Sequence, residues 1–456
     1  MKAGSKEGPV HQLGERLDAL SRIPLRPSVV VAISLASFFT YYDVSNYAYI
    51  SPVLKSTWGV TDAEIAGGAS LTILGYVVGA FCITLLADSR GRRPAFAASI
   101  LLLGAGSIMS ALAQDMSQLM FFRLVTGAGI GAELAIASVY VTELSPRSKR
   151  GKYTSLLSVL GWLGLTASGP ISLSLAQGQF AGIEGWRLVL GLAGAVALVS
   201  LPFRLQMPES PRWLLSKGRL QEANLVLQKI GLPALPLLPS SSSSSSATPP
   251  AKAAGRGLRL LKSGTALRRI VFLSAVWFLL LVPVYSALLM VVAFVEQGYT
   301  VSESITINLL SGTGFVAGGF AAILLADRME RKHQVALAGL LLGTGFVLRG
   351  LLVGDYAGLV AAGFVAFFAN AWIVTALLTY TAESFPTRVR SSAAGIVEGS
   401  SRGLAAVAPF VFITLQPSGF MATMSGIAAF SFASAAVVAA FGMRTRGKSL
   451  EDLNRE

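Results

Sequence analysis

The stretch Leu86-Ala87-Asp88-Ser89-Arg90-Gly91-Arg92-Arg93 directly follows an apolar run that is long enough to cross a lipid bilayer as a helix. A similar stretch, Leu325-Ala326-Asp327-Arg328-Met329-Glu330-Arg331-Lys332, follows another such run in the second half of the chain. A basic loop that recurs after equivalent apolar runs indicates an internal repeat of a helical membrane unit. This pair of stretches decides the predicted fold.

A second motif recurs in the same order. Tyr140-Val141-Thr142-Glu143-Leu144-Ser145-Pro146 precedes Arg150, and Tyr380-Thr381-Ala382-Glu383-Ser384-Phe385-Pro386 precedes Arg390. Two motifs at equivalent places are hard to obtain by chance, so the chain is predicted to consist of two similar halves.

The composition agrees with a membrane protein. Of 456 residues, 53% are hydrophobic and 13% are charged, and the mean hydropathy is +0.63. This apolar content exceeds what a water-soluble core needs, and the alternation typical of a membrane β-barrel is missing. The single cysteine, Cys82, lies in an apolar run, which argues against a disulfide or a cysteine-based metal site. We therefore expect an all-α membrane protein without a cofactor or metal ion.

Length and periodicity predict twelve membrane helices in two pseudo-symmetric bundles of six. They are predicted to start near Pro27, Asp62, Arg93, Ser117, Lys152, Trp186, Ile270, Ile305, His333, Tyr356, Val389 and Gly419. The predicted units are a tail (1–26), a first bundle (27–206), a linker (207–269), a second bundle (270–443) and a second tail (444–456). The serine run Ser240–Ser246 in the linker cannot bury a core, which favours a flexible tether.

Basic residues lie in every second predicted loop, where they indicate the cytoplasmic side of the membrane. Both termini are therefore predicted to be cytoplasmic. The net charge of +14 is spread over these loops, so it indicates topology and not a nucleic-acid surface. We expect a multi-pass monomer of a plasma membrane, and short external loops favour a bacterial inner membrane. Its partners would be lipid and a small molecule, with no nucleic acid.

These motifs resemble the major facilitator superfamily, and more narrowly its branch of sugar porters, metabolite:proton symporters and organic ion transporters. Its marks are the Asp88–Arg93 loop, Arg123 with Gly127, Gly129 and Gly131, then Glu143, Pro146 and Arg150, the stretch Pro208–Leu214, and Glu383, Pro386, Thr387 and Arg390. The resemblance covers nearly the whole chain. It implies secondary active transport by alternating access, and no clustered nucleophile and base suggest an enzyme.

The resemblance also implies gating residues. A carboxylate at a cytoplasmic helix end can face a helix N-terminus or a neighbouring arginine, and so hold that side of the protein shut. The gating roles fall on Asp88, Arg92, Arg123, Glu143, Arg150, Asp327, Glu383 and Arg390. The alternative is that these residues serve only as topology signals.

Ionisable groups deep in a span cost several kcal/mol unless they are paired or hydrated, so each is a functional candidate. Arg402 stays charged and presents a fork that suits a carboxylate, which predicts an anionic substrate. Its distance from Pro386 matches an arginine that organic-anion members of the resembled branch use. Glu398, one helical turn earlier, offers the alternative of an internal ion pair with Arg402.

Asp43 is the main candidate for proton coupling, with Glu133 and Glu398 as further candidates. A carboxylate in an apolar span costs less when protonated, so it can take up and release a proton during a cycle. We expect Asp43 and Arg402 to reach one cavity near the bilayer midplane. A structural hydrogen bond of Asp43 is the alternative.

Aromatic and amide side chains at similar depth are predicted to line the cavity: Tyr47, Trp162, Trp277, Tyr285, Asn370 and Trp372. Such a set would suit a flat carboxylate such as nicotinate or benzoate, although aromatic residues in spans often only pack. Spans five and seven lack the glutamines of sugar porters, which argues against hexose. We expect proton-coupled import of a small organic anion. The alternatives are proton-driven export of amphipathic or cationic compounds and a transporter-like ligand receptor.

Overall fold

The computed structural model describes residues 13, 16, 23–24, 27–145, 150–235, 264–325, 328–385 and 390–444. The first half contains α1 (Pro27–Trp58), α2 (Asp62–Arg90), α3 (Arg92–Leu112), α4 (Met116–Leu144), α5 (Arg150–Leu175), α6 (Gly185–Leu205), α7 (Pro211–Ser216) and α8 (Leu220–Lys229). The second half contains α9 (Gly264–Ser286), α10 (Met290–Glu296), α11 (Val301–Leu325), α12 (Arg331–Leu351), α13 (Tyr356–Glu383), α14 (Arg390–Ala405), α15 (Ala408–Leu415) and α16 (Phe420–Phe441). A hairpin of β1 (Gln179–Phe180) and β2 (Ile183–Glu184) precedes α6.

The long helices account for twelve crossings. A 3-10 turn, Ala287–Leu289, joins α9 to α10 as one span, and α14 with α15 forms another. Counted over the described residues, eleven helices have the length and hydropathy of a span. The helix α4 has 29 residues, more than the roughly 20 that a crossing needs, and it packs along α2.

Two spans start with the same local structure, one in each half. Thr61 and Glu64 form a capping box before α2, in which each side chain accepts a hydrogen bond from the other residue's backbone N–H. Thr300 and Glu303 form the same pair of bonds before α11. Each box satisfies backbone N–H groups that have no partner within the helix, so it fixes where the span begins.

The seventh span differs from its prediction, because α9 begins at Gly264 and not near Ile270. The extra turn carries Arg268 and Arg269, whose long side chains can reach polar surroundings while the helix backbone continues. Within the predicted linker, α7 and α8 are short helices, and residues 236–263 lie outside the described part of the chain. The division into tails, linker and two bundles stays a prediction.

Glycines set the closest helix contact of each half. Gly75 and Gly79 of α2 lie against the α4 backbone, and Gly127 and Gly131 of α4 lie against the α2 backbone. In the second half α11 packs against α13 in the same way, through Gly314 and Gly318. Small residues spaced four apart let two membrane helices approach closely, which maximises dispersion contacts.

The two halves meet along α5 with α11 and along α2 with α14 and α15. On this interface Thr166 of α5 donates a hydrogen bond to the carbonyl of Gly312, at 3.2 Å. Gly169 of α5 faces Leu309 of α11. The cavity described below lies between these contacts.

We predict that Gly79→Ala lowers the melting temperature, because the new methyl group would overlap the carbonyl of Ala128. Overpacking of this kind costs about 1–3 kcal/mol. The matched control is Gly395→Ala in α14, where the added carbon meets open space. Thermal unfolding of the purified protein in detergent checks this, and equal melting temperatures for the two variants would contradict the packing described.

Candidate functional site

A cavity lies between the two halves at mid-depth of the bundle. Its walls come from α1, α2, α4 and α5 of the first half and from α9, α11, α13 and α14 of the second. Most lining side chains are apolar or aromatic, and few carry a charge. Small-molecule sites typically combine such apolar walls with a few polar groups that fix orientation.

Arg402 of α14 lines this cavity, as the sequence predicts. Its guanidinium lies over the ring of Tyr76 from the first half, at 4.8 Å, and 5.7 Å from the ring of Trp277. Glu398 accepts a hydrogen bond from its Nη1 at 2.6 Å, and 14% of the Arg402 side chain remains exposed. Both readings of Arg402 therefore have a structural basis: it faces the cavity, and it forms the internal ion pair.

Arg123 of α4 is the second arginine of the cavity wall. Its Nη1 donates to the Asp43 carboxylate at 2.8 Å, and Ser107 donates to the same carboxylate at 3.2 Å. Asp43 is fully buried, and it lies behind the wall instead of facing the cavity with Arg402. The expectation that both residues reach one cavity is corrected, because Arg123 stands between Asp43 and the open space.

The position of Arg123 also corrects its gating assignment. It lies near the start of α4, whereas Glu143 lies at the opposite end of that helix. Its guanidinium lies 5.6 Å from the Tyr47 ring, and its Nε donates to Thr72 at 3.3 Å. Arg123 is therefore a cavity residue and not part of the charged cluster at the helix ends.

Aromatic rings form a stack across the interface of the two halves. Trp162 of α5 stacks on Phe315 of α11, with ring centroids 5.0 Å apart, and Phe315 stacks on Phe367 of α13 at 4.4 Å. Tyr41 packs edge-on against Trp162 at 5.4 Å. All four rings line the cavity, so they form an aromatic wall against which an apolar part of a ligand could pack.

Three polar groups of the cavity wall have no hydrogen-bond partner among the residues that the structure describes. They are the indole N–H of Trp162 and the amide oxygens of Asn308 and Asn370. A buried polar group without a partner costs about 1–3 kcal/mol, so a ligand or water is expected to satisfy each of them.

Of the remaining predicted cavity residues, three line the cavity and one does not. Tyr47 lines the cavity and donates to the carbonyl of Ile65 at 2.8 Å, and Tyr285 also lines it. Trp277 lines it too, although its indole N–H already donates to Thr381 at 3.0 Å. Trp372 is corrected: it faces the interior of the second half and donates to Gln334 at 3.3 Å, away from the cavity.

Glu133 lies outside the cavity as well. It is fully buried, pairs with Arg204 of α6 and accepts a hydrogen bond from Ser99 at 2.8 Å. The guanidinium of Arg204 lies 4.6 Å from the Phe96 ring. These contacts join α3, α4 and α6 and leave Glu133 away from the cavity. Proton coupling by Glu133, as the sequence predicts, has no support from this position.

A charged cluster lies at the predicted cytoplasmic end of the first half. Arg92 donates to Asp88 at 2.8 Å and to Glu143 at 2.7 Å, which ties α2 and α3 to α4. Glu209 accepts hydrogen bonds from the first backbone N–H groups of α3, at 2.7 and 3.2 Å. Arg212 donates to the carbonyl of Glu143 at 2.8 Å.

The second half repeats part of this cluster, since Arg331 donates to Glu383 at 3.3 Å. Arg150 and Arg390 begin α5 and α14, but their side chains, like all of Asp327, lie outside what the structure describes. At the opposite end of the bundle Lys55 bridges the halves, bonding to Asp62 at 2.7 Å and to Glu296 at 2.8 Å.

Four residues that line the cavity were not predicted from the sequence: Tyr41, Tyr76, Phe315 and Phe367. The pairing of Asp43 with Arg123 was not predicted either. Tyr41 could have been predicted as a cavity residue, because it lies two residues before the predicted Asp43 on α1. Over the described residues, no group of three or more His, Cys, Asp or Glu side chains could hold a metal ion.

Twelve crossings around a midplane cavity with a few charged and aromatic groups define a helical membrane transporter of small molecules. The sequence profile of the family described as "Sugar (and other) transporter" matches residues 29–456, and the chain belongs to this family. The predicted fold class and the prediction of a transporter instead of an enzyme are thereby confirmed.

Two relatives extend over almost the whole chain. The niacin transporter NiaP of Acinetobacter baylyi is 27% identical over 459 residues, covering 96% of this chain and 100% of that protein. The inner membrane metabolite transport protein YdjE of Escherichia coli is 26% identical over 454 residues, covering 97% and 98%. The partially occluded, inward-open structure of the xylose transporter XylE of Escherichia coli superposes with a TM-score of 0.73. It covers 92% of this chain and 99% of that one at 18% identity, so it shows the fold alone.

Proposed function

We propose that this protein takes up a small organic monoanion together with protons by alternating access of a midplane cavity. The observation that carries this proposal is the guanidinium of Arg402 on the cavity wall, held between Tyr76 and Trp277. A guanidinium keeps its charge at any physiological pH and matches a carboxylate in geometry. In a cavity with mostly apolar walls it would therefore select for a negative charge on the ligand.

The other walls favour a flat aromatic acid, such as nicotinate or benzoate. The stacked rings of Trp162, Phe315 and Phe367 form an apolar wall, and the unpartnered indole N–H of Trp162 could donate to the ring nitrogen of nicotinate. The relative NiaP is described as a niacin transporter, which supports this substrate class.

Proton coupling would run through Asp43 and Arg123. Arg123 donates to the fully buried Asp43, and in this pair each group compensates the charge of the other. Arg123 also lines the cavity, so a substrate carboxylate that attracts its guanidinium weakens the pair and favours protonation of Asp43. Substrate binding and proton binding would thus support each other, as symport requires.

Alternating access would use the charged groups at the two ends of the bundle. The cluster of Arg92, Asp88 and Glu143 would hold one side shut, and the bridge from Lys55 to Glu296 would hold the other. We place both termini in the cytoplasm and the protein, as a monomer, in a bacterial inner membrane, because of the basic clusters and the short external loops.

Export of amphipathic or cationic compounds is the second candidate. The observation that favours it is the 2.6 Å bond from Arg402 to Glu398, which neutralises the arginine within its own helix. The Glu398 side chain is 30% exposed and could attract a cation. The two candidates differ in whether loss of Arg402 changes the preferred charge of the ligand.

We predict that Arg402→Gln weakens carboxylate binding at least tenfold, because a hydrogen bond to a charged group contributes about 1.5–3 kcal/mol. Isothermal titration of the purified protein with nicotinate and benzoate measures this. The matched control is Arg219→Gln, which removes the arginine of an exposed ion pair with Glu222 on α8. Unchanged carboxylate affinity in Arg402→Gln, with binding of organic cations, would instead support export.

We predict that Asp43→Asn abolishes accumulation driven by a proton gradient but leaves exchange of labelled for unlabelled substrate across the membrane. Asparagine keeps the shape of the side chain but cannot carry the proton. This variant leaves Arg123 buried without a carboxylate, which can destabilise the fold. The double variant Asp43→Asn with Arg123→Gln removes both charges, so it tests whether misfolding causes any loss of accumulation. Gradient-driven accumulation by Asp43→Asn at the original rate would refute the coupling role.

A further inference from the structure

Arg349 of α12 is a fully buried arginine that the proposed function does not use. Its side chain is 0% exposed, near the end of the ninth span. Among the residues that the structure describes, no acceptor lies within hydrogen-bonding distance of its Nε, Nη1 or Nη2. All donors of its guanidinium are therefore unsatisfied.

The other buried arginines of the described spans each have a carboxylate partner. Arg92 pairs with Asp88 and Glu143, Arg123 with Asp43, and Arg204 with Glu133, and the partly buried Arg402 pairs with Glu398. An uncompensated charge in the membrane interior costs several kcal/mol, and a guanidinium does not escape this cost by losing its proton. Among the described residues Arg349 is thus one positive charge in excess, which calls for a negative charge that they do not supply.

Aromatic rings and a glycine surround this guanidinium. Its central carbon lies 4.9 Å from the ring centroid of Phe367 and 5.6 Å from that of Phe294. Gly363 of α13 lies against Nη2, where a side chain carbon would collide with it. Ser311 also lies at this position; its hydroxyl donates to the carbonyl of Ile307 at 2.7 Å and accepts no hydrogen bond from Arg349. Cation–π contact offsets part of the charge but accepts none of its hydrogen bonds.

A single ring separates Arg349 from the cavity. Phe367 lies beside Arg349, lines the cavity and stacks on Phe315 at 4.4 Å. Asn370 lies one turn further along α13 and also lines the cavity, with an unpartnered amide oxygen. The ring of Phe367 is therefore the group through which a ligand in the cavity and Arg349 are nearest in the described structure.

We propose that Arg349 forms a second anion site, which binds one monovalent anion that enters from the cavity past Phe367. If the anion is a carboxylate, the site binds the substrate and rests on the proposed function. If the anion is a free halide, the site is independent of that function. In both cases the anion supplies the charge and the acceptors that are missing around Arg349 among the described residues.

The test is thermal unfolding of the full-length protein in detergent, with increasing chloride or benzoate against sodium sulfate at matched ionic strength. A ligand that binds only the folded state raises the melting temperature in a saturable way. We expect a saturable rise with at least one of the two anions. In Arg349→Gln the chloride response should disappear, or the half-saturating benzoate concentration should increase at least tenfold. Loss of the chloride response identifies a halide, and the shift for benzoate identifies a carboxylate.

Arg349→Lys is the matched control, since it keeps the charge and should keep a saturable response. Phe367→Leu removes the ring that covers Arg349 and should lower the half-saturating concentration of the anion severalfold. This variant tests the proposal if Arg349→Gln fails to fold. The site is refuted if the original protein responds to neither anion, if Arg349→Gln responds as the original protein does, or if Phe367→Leu leaves half-saturation unchanged. Failure of all carboxylate uptake would remove the proposed function, while the chloride titration would still decide on Arg349.

Discussion

The cost of a charge inside the membrane is the constraint on which this structure depends. Arg123 and Arg204 are brought to carboxylates on other helices, and these pairs fix how α1, α3, α4 and α6 pack in the first half. Breaking such a pair by removing one partner would cost about 3–5 kcal/mol, so each pair also specifies which helices are neighbours. Arg349 in the second half has no such partner among the described residues, and the proposed anion would supply the missing charge.

The same constraint explains how one cavity can serve both binding and coupling. Arg123 and Arg402 each hold a carboxylate while they face the cavity, so both can exchange that partner for a ligand without becoming unpaired. The walls that carry them belong to opposite halves, which meet at this depth through the aromatic stack, the contact of α5 with α11 and the contact of α2 with α14. A rocking of the halves around this contact would change access to the cavity while the arginines keep their depth.

The sequence contained most of the fold and part of the site. The start of the second span at Asp62 was predicted from the sequence, next to the capping box of Thr61, whereas the eighth span begins at Val301 and not near Ile305. The ion pair of Glu398 with Arg402 was predictable from its spacing of one helical turn. The pair of Asp43 with Arg123 was not, since 80 residues separate the partners and only packing brings them together. Trp372 was misplaced because a helix that is apolar all round gives no sign of which face meets the cavity.

Uptake into proteoliposomes tests the central claim most directly. Radiolabelled nicotinate and benzoate would be compared with xylose and an organic cation, each with and without an imposed inward proton gradient. The account predicts that at least one carboxylate accumulates above its external concentration only when the gradient is present, whereas the sugar and the cation do not. Accumulation of no carboxylate, equal uptake without the gradient, or selective uptake of the sugar or the cation would contradict it.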